Sequence, residues 1–548
     1  MRPLLLLALT ACASSSSLPA VYFMNVPAVE AVNDRRDVPK PPEPTEFVLS
    51  LYSFDGHFHR RVTRALELHR HQRARGTNAV DEVPDSTWFT NRVGMRDVSP
   101  TDIAAVPGSI GSPEPHKPWT VVSTKLAGKS VGFIIRDARG EKFLLKFDAR
   151  DYPEVETATQ VIIGRLMWAF GFNVTDDYVV YLGKNDLVLA PDAVRISDDG
   201  KKRPLSQADL EAGLAQVDVG RDGSIRALAS RWLAGKALGG HSVEGVRPDD
   251  PNDRIPHELR RDLRGAYALF AWLDYNDIHG GNRLDLWVND PAEPKRHYVK
   301  HYFVDFGSGL GTAALKNREP RWGYEYYVDY GAIARSFFTL GAARRPWEDR
   351  KESPLRGVGM LEVDRFRPGT WVPSSAAYIP IDIADRFDKF WAAKIIMRFT
   401  RDQIRAAVDA ARLSDPRAAA WLTDALIARQ RATGRYWFER VNPLDGFAVD
   451  ERKLCFKDLS IVHAFVRSTT THYNVTFHDR GHHRFATAQV VAEDSGVTCP
   501  SVRLAPDRDG YTIVRIDTVR PAFRGTMFVH IARDPGTDLP RVVGIWRK

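Results

Sequence analysis

The sequence predicts an α+β fold: a strand-rich stretch, a helix-rich stretch interrupted by one hairpin, and an all-β tail. Three observations predict it. Residues 121–125, 131–136 and 142–147 are short apolar runs separated by turns at Gly128 and at Ala138-Arg139-Gly140. Residues 256–273 place Leu259, Leu263, Tyr267, Phe270 and Leu273 on one helical face. From 460 onward, short runs alternate apolar and polar residues with a period of two. At 548 residues the chain exceeds one ordinary core, and 43% hydrophobic with 27% charged residues excludes broad disorder.

In chain order, Arg2 precedes an apolar run from Leu4 to Leu9, too short to span a bilayer, and then Leu9-Thr10-Ala11-Cys12. That tetrapeptide resembles the bacterial lipobox, which implies a signal peptide over 1–12, a lipid-anchored Cys12 and a place in the cell envelope. Residues 13–46, with four consecutive serines and a Pro-rich patch, predict a flexible tether. Residues 47–118 predict an irregular extension with a helix near 57–73 and an aromatic pair at Trp88-Phe89. A helix is expected over 153–170, strands over 178–182 and 225–232, and a hairpin over 284–304 with its turn at Asn289-Asp290-Pro291. Arg260, Arg261 and Arg264 read as the outer face of the 256–273 helix. Further helices follow between 381 and 439, one capped by Thr400 with Gln403 three residues on. Strands at 460–466, 472–477, 487–491, 511–516, 527–531 and 541–546 make residues 441–548 a small β-sandwich. With Cys12 lipidated, Cys455 and Cys499 are left as one possible disulfide in an oxidising compartment, or as two buried thiols.

The net charge of +8 suits anionic partners such as phosphorylated ligands or anionic lipid. No recognition-helix or zinc-finger pattern accompanies it, so no nucleic acid is expected. Chemistry concentrates in Asp277-Ile278-His279-Gly280-Gly281-Asn282 and, after the hairpin, in Asp305-Phe306-Gly307. Transfer of a phosphoryl group from a nucleotide needs a carboxylate near the acceptor hydroxyl, oxygen ligands for Mg²⁺ and a cation on the donor phosphates. Asp277 can be the first, and Asn282 and Asp305 the second. As ordinary turn and strand residues, each would read as structural.

The Asp-x-His-x-x-Asn pattern resembles the catalytic loop of atypical kinases of the HipA and phosphoinositide-kinase groups, and Asp305-Phe306-Gly307 the metal-binding triplet of protein kinases. The resemblance covers roughly residues 119–435 and implies a two-lobed kinase-like domain over 119–440, with a small lobe over about 119–234 and a large lobe over about 235–440. It implies that Asp277 orients or deprotonates the acceptor, that His279 braces the loop, and that Asn282 and Asp305 hold Mg²⁺. It also implies that Lys146 meets ATP or another nucleotide and pairs with a helix glutamate. Of Glu154 and Glu156, the latter shares a face with Ile163 and Met167 and is the choice. Gly128 and Gly132 stand where a glycine-rich loop would cover the nucleotide, with two glycines rather than three, and no His-Arg-Asp triplet precedes the loop. The expected activity is Mg²⁺-dependent phosphoryl transfer to a hydroxyl on a protein, lipid or glycan. The alternatives are a pseudokinase scaffold of the envelope, and nucleotidyl transfer at the same site.

Overall fold

The computed structural model describes residues 18–66, 72–106, 108–125, 131–197, 201–313, 320–374 and 377–548. Cys12 with its lipobox, and Gly128, lie outside the described residues. Two compact units emerge: Val29–Asn78 with Glu82–Val441, and Asn442–Lys548 with Ala79–Asp81 and the described part of Met1–Ala28.

The larger unit begins with backbone that is tied down. Val38 N–H donates to the His297 carbonyl at 2.8 Å, Trp287 Nε1–H donates to the Val38 carbonyl at 2.8 Å, and Thr45 Oγ1–H donates to the Leu238 carbonyl at 3.0 Å. The free tether expected over 13–46 is therefore corrected for residues 29–46, whose polar backbone groups find partners on the unit rather than in water. Helices α1 (Leu49–Phe54) and α2 (Arg60–Leu66) flank a π-helical turn, Asp55–His59. Helix α3 (Pro100–Ala105) is closed by a Ser99–Asp102 capping box. Phe89 is fully buried against Phe170, Phe172 and Trp391, so the aromatic pair of the extension belongs to the main core.

A seven-stranded sheet follows, in the order β4-β7-β3-β2-β1-β5-β6. Its strands are β1 (Trp119–Thr124), β2 (Gly132–Arg136), β3 (Lys142–Lys146), β4 (Asp177–Leu182), β5 (Leu187–Ile196), β6 (Lys202–Pro204) and β7 (Ile225–Arg231). All pair antiparallel except β1 with β5. Helix α4 (Val155–Phe170) connects β3 to β4 and is buried along its length except at Trp168. The Asp148 carboxylate accepts from Thr157 N–H at 2.9 Å and Thr157 Oγ1–H at 2.7 Å, satisfying the helix start from just beyond β3. Helix α5 (Gln207–Leu214) packs Leu210 and Leu214 into the core of this sheet.

Beyond it lie β8 (Lys236–Ala237), α6 (Arg261–Leu273), and the hairpin β9 (Arg283–Asn289) with β10 (His297–Phe303). Helices α7 (Tyr330–Phe338), α8 (Ile379–Asp382), α9 (Arg386–Ile396), α10 (Arg401–Asp409) and α11 (Pro416–Phe438) complete the unit. Every residue of α6 is buried. The expectation that Arg260, Arg261 and Arg264 line an outer face is corrected: Arg264 Nε meets Asp388 at 2.6 Å, Arg261 Nε meets it at 2.9 Å, and Arg260 pairs with Asp262 at 2.7 Å. A buried charge needs such a partner.

The smaller unit holds a three-stranded sheet, β11 (Leu444–Val449), β12 (Leu454–Asp458) and β15 (Val497–Thr498). Its five-stranded partner runs β14-β13-β16-β17-β18, over His472–His478 (β13), Arg484–Val491 (β14), Thr512–Arg520 (β16), Phe523–Arg533 (β17) and Pro540–Arg547 (β18). Leu444 and Phe456 from the first sheet share one core with Val475, Ile516 and Val529 from the second. Cys455 and Cys499 are disulfide-bonded. The strand expected at 460–466 is instead a helical turn, α12 (Leu459–Val462), because the Asp458 side chain accepts from Ser460 N–H and starts it.

Candidate active site

Lys146 ends β3, directly across from Gly132 on β2. A Cβ at Gly132 would lie 2.6 Å from the Leu145 carbonyl, so only glycine lets the two strands approach this closely there. The Lys146 ammonium is buried and meets Asp305 Oδ1 at 2.7 Å across 159 residues of sequence. Burial opposes its charge, but Asp305 and then Glu156 hold its pKa above the ordinary lysine value. Asp305 answers in kind. Against burial, the Lys146 charge and hydrogen bond keep its carboxyl below the usual range.

Glu156 stands in the first turn of α4 and is 6% exposed. It touches the triplet from behind, since a Cβ on Gly307 would lie 2.8 Å from its Cγ. Its Oε2 is buried without a hydrogen-bond partner, and burial, with Asp305 and Asp148 nearby, pushes its carboxyl up to about 7. The lysine–glutamate pair expected here is corrected to a lysine–aspartate pair: the direct bond to Lys146 holds the Asp305 carboxyl down, whereas burial pushes that of Glu156 up. Glu154 points elsewhere, bonding Ser414 and Arg356.

The Asp277 loop leaves the C-terminus of α6 through Asp274, whose φ of 50° turns the chain out of the helix. Asn282 donates from Nδ2 to the Asp277 carbonyl at 2.7 Å, closing the loop and leaving its amide oxygen as the acceptor. His279 Nδ1 accepts from Gly281 N–H at 3.0 Å, so its proton lies on Nε2, which faces Asp277 Oδ1 at 3.4 Å. Phe47 stacks on the same ring with centroids 5.0 Å apart. Burial first, then Asp305, raises the Asp277 pKa, while His279 and Asn282 oppose the rise.

Sequence reasoning missed three contributors. Tyr275 is fully buried and donates to the Asp277 carbonyl at 3.0 Å, with the Asp305 carbonyl 3.4 Å away, tying the two loops together. Gln160, one helical turn beyond Glu156, accepts Phe306 N–H at 2.5 Å, while the Phe306 ring packs beside Gly164 and Tyr275. Lys125, just past β1, lies in the field of Lys146, Glu156 and Asp305; burial first and then Lys146 lower its pKa to about 8. Its place at the start of the glycine-bearing turn was the available signal. Asp305 itself sits at φ 61°, a left-handed conformation uncommon for a residue with a side chain.

Lys146, Asp305, Glu156, Asp277 and Asn282 are thus gathered by two loops, one strand and one helix. The donor set is carboxylate and amide oxygen, the chemistry Mg²⁺ requires, and Lys146 engages only Oδ1 of Asp305.

Two other clusters stand apart. Arg350, Trp371, Trp322 and Tyr324 wall a cavity of about 440 Å³ beside Asp274, so the aromatic run at 322–327 contributes there. Behind the loop, His301 Nδ1 meets Asp285 Oδ1 at 2.7 Å, and His241 Nδ1 lies 3.6 Å from the same oxygen. These three could share a cation, but Arg247 at 3.4 Å already balances Asp285. Arg283 donates to the His241 carbonyl at 2.8 Å, making this network a brace for the loop.

No family model and no curated protein matches the chain. Among solved structures, the chain is similar to the Golgi casein kinase: 11% identity over 62% of this chain and 75% of that one, TM-score 0.31. The same enzyme with Mn/ADP bound gives 11% over 59% and 72%, TM-score 0.29. The Rio2 kinase of Chaetomium thermophilum in its ADP/Mg²⁺-phosphoaspartate complex gives 13% over 58% and 72%, TM-score 0.23.

Proposed function

We propose that the larger unit is a kinase-like phosphotransferase that binds a nucleotide with Mg²⁺ and passes a phosphoryl group to a hydroxyl on an envelope protein, lipid or glycan. The observation that carries the reading is the 2.7 Å Lys146–Asp305 pair with Asp277, Asn282 and Glu156 around it. Asn282 and Asp305 would hold Mg²⁺, which when bound offsets charge on the donor phosphates. Lys146 places a fixed cation against those phosphates, and Lys125 adds a second of adjustable charge. Asp277, its carboxylate steadied by His279 Nε2–H, orients the acceptor hydroxyl and takes its proton as the new P–O bond forms and the P–O bond to the donor breaks, the nucleotide leaving one phosphate shorter. Tyr275 and Gln160 fix the two loops, so little reorganisation is needed. Residues 1–12 support lipid anchoring through Cys12 and export to the envelope; Cys12→Ser should then abolish lipid labelling.

A nucleotide titration with and without Mg²⁺, paired with a phosphate-transfer assay on envelope extracts, tests this. Asp305→Ala should abolish metal-dependent binding, and Lys146→Ala should impair binding and transfer together. Wild-type protein that binds no nucleotide under any metal condition refutes the reading. Binding without transfer favours the pseudokinase alternative, to which the reduced glycine loop points; release of pyrophosphate with a nucleotide left on the acceptor favours nucleotidyl transfer.

A further inference from the structure

The run Arg484-Phe485-Ala486-Thr487-Ala488-Gln489-Val490-Val491 holds one charge, at its first residue, and neither proline nor lysine. It forms β14, one edge of the five-stranded sheet whose other edge is β18. An edge strand leaves a row of N–H and C=O groups unpaired, and proteins cap or blunt such rows because any extended chain can pair with them. Strand β18 is managed in that way: it opens on Pro540, and Ile545 N–H donates to the Ala79 carbonyl at 2.9 Å. Strand β14 lacks these devices. Among the described residues its backbone pairs with β13 alone, and from Ala486 to Val491 that ladder runs without a bulge.

The sandwich core is open along the same strand. Ala486, Ala488 and Val490 lie opposite Phe477, Val475 and Tyr473 of β13, on the face that points into the core. Those β13 residues are fully buried, whereas their β14 neighbours are only half-buried; the covering sheet has three strands against five. Thr487 and Gln489 alternate with them on the solvent face. The two ends of the strand differ in charge. Arg484 starts it and Glu493 stands two residues past its end; both are exposed, and neither has an ion-pair partner among the described residues.

These properties make the strand complementary to itself. When two copies run antiparallel, the Arg484 end of each comes beside the Glu493 end of the other, at both ends of the contact. Pleating demands that residues opposite one another lie on the same face. Centring the pair on Ala488 meets that demand. Ala486 then faces Val490 of the second copy, Thr487 faces Gln489, and Phe485, 41% exposed, meets Val491, 64% exposed. A two-fold axis through that point closes the contact at two chains, with the β18 edges already covered. We infer that the chain is a homodimer, joined by antiparallel pairing of β14 with β14 of a second copy about Ala488. The pairing concerns the smaller unit only and is independent of the phosphotransferase reading.

The test is analytical ultracentrifugation of the full chain with Cys12→Ser, so that no acyl chain brings copies together. A monomer–dimer equilibrium is expected. Thr487→Lys with Gln489→Lys sets like charges opposite one another at two places on the solvent face and should weaken the dimer by about tenfold or more. Thr487→Lys with Gln489→Glu sets opposite charges there instead and should leave the dimer as tight as wild type or tighter. Pairing centred on Thr487 or on Gln489 would bring like charges together in that second variant, so its behaviour reports the register. A chain that stays monomeric at every concentration overturns the inference and leaves the edge to an extended segment of another protein. A dimer that neither variant weakens belongs to another surface, and one that both weaken is paired in another register; either result overturns it. If a variant does not fold, amide exchange of the unsubstituted strand decides: β14 amides should gain protection as dimer accumulates, and exchange that is unchanged overturns the inference.

Discussion

With its carboxyl pushed up to about 7 by burial, Glu156 couples the stability of the larger unit to pH. The folded value lies above the ordinary glutamate value, so the folded state favours the protonated form. That contribution is full below about 4.5 and is lost as pH rises through about 7. Glu156→Gln keeps the shape and removes the titration. In the absence of nucleotide it should therefore match wild type at pH 5 and melt higher by a few degrees at pH 8. A variant that melts lower at pH 8 would mean that Glu156 is held charged by Lys146 after all. Asp277 calls for a different measurement, because its proposed role is in transfer. Asp277→Asn leaves Asn282 its bond to the backbone carbonyl and leaves Asp305 its lysine, so nucleotide affinity should stay within a few-fold. Loss of the proton acceptor should slow transfer by ~10²–10⁴-fold. Affinity and rate falling together would assign Asp277 to the metal set instead.

At the scale of elements, helix α6 is the piece on which the loop hangs. A Cβ at Gly265 would lie 2.6 Å from the Trp391 ring of α9, and the Arg264–Asp388 pair crosses the same interface. Gly265→Ala must push the helices apart and should cost about 1–3 kcal/mol, offset in part by better helix propensity. Chemical denaturation that finds it neutral or stabilising would show the interface to be looser than this. The same helix shows what could be read in advance. The apolar residues Leu263, Tyr267, Phe270 and Leu273 lie on it as expected, whereas Leu259 falls in a 3-10 turn before it; strand lysine, helix glutamate, loop aspartate and hairpin follow in the expected order. Arg264 reads as surface because its partner, Asp388, lies 124 residues on. Gln160 escaped for the same reason, since it acts on a loop 146 residues away, and so did the reach of Tyr275 to the Asp305 carbonyl 30 residues on. Strand β5 was hidden because Pro191 and Asp192 interrupt its apolar run, and its pairing with β1 is parallel and nonlocal.

Among the described residues each unit has a core of its own, one around the seven-stranded sheet with Phe143, Leu145 and Ile225, the other around Leu444, Phe456 and Val529. Different chemistry guards each. Cys455–Cys499 spans a sequence separation of 44 residues. A cross-link closing a loop of that size removes chain entropy from the unfolded state worth about 4 kcal/mol. It constrains only Asn442–Lys548, and native protein should show neither thiol to a labelling reagent when denatured without reductant. The proposed nucleotide site lies wholly within the other unit, and a ligand held there at a hundred times its dissociation constant would add about 2.7 kcal/mol to that unit alone. Scanning calorimetry should therefore resolve two transitions with opposite sensitivities. Reductant should lower one and leave the other in place; Mg²⁺ with nucleotide should raise the second and leave the first. Cys455→Ala with Cys499→Ala should reproduce the effect of reductant without further response to it. If one transition moves with both treatments, the chain unfolds as a single cooperative block. If reductant moves neither, the disulfide does not carry the stability of the β unit.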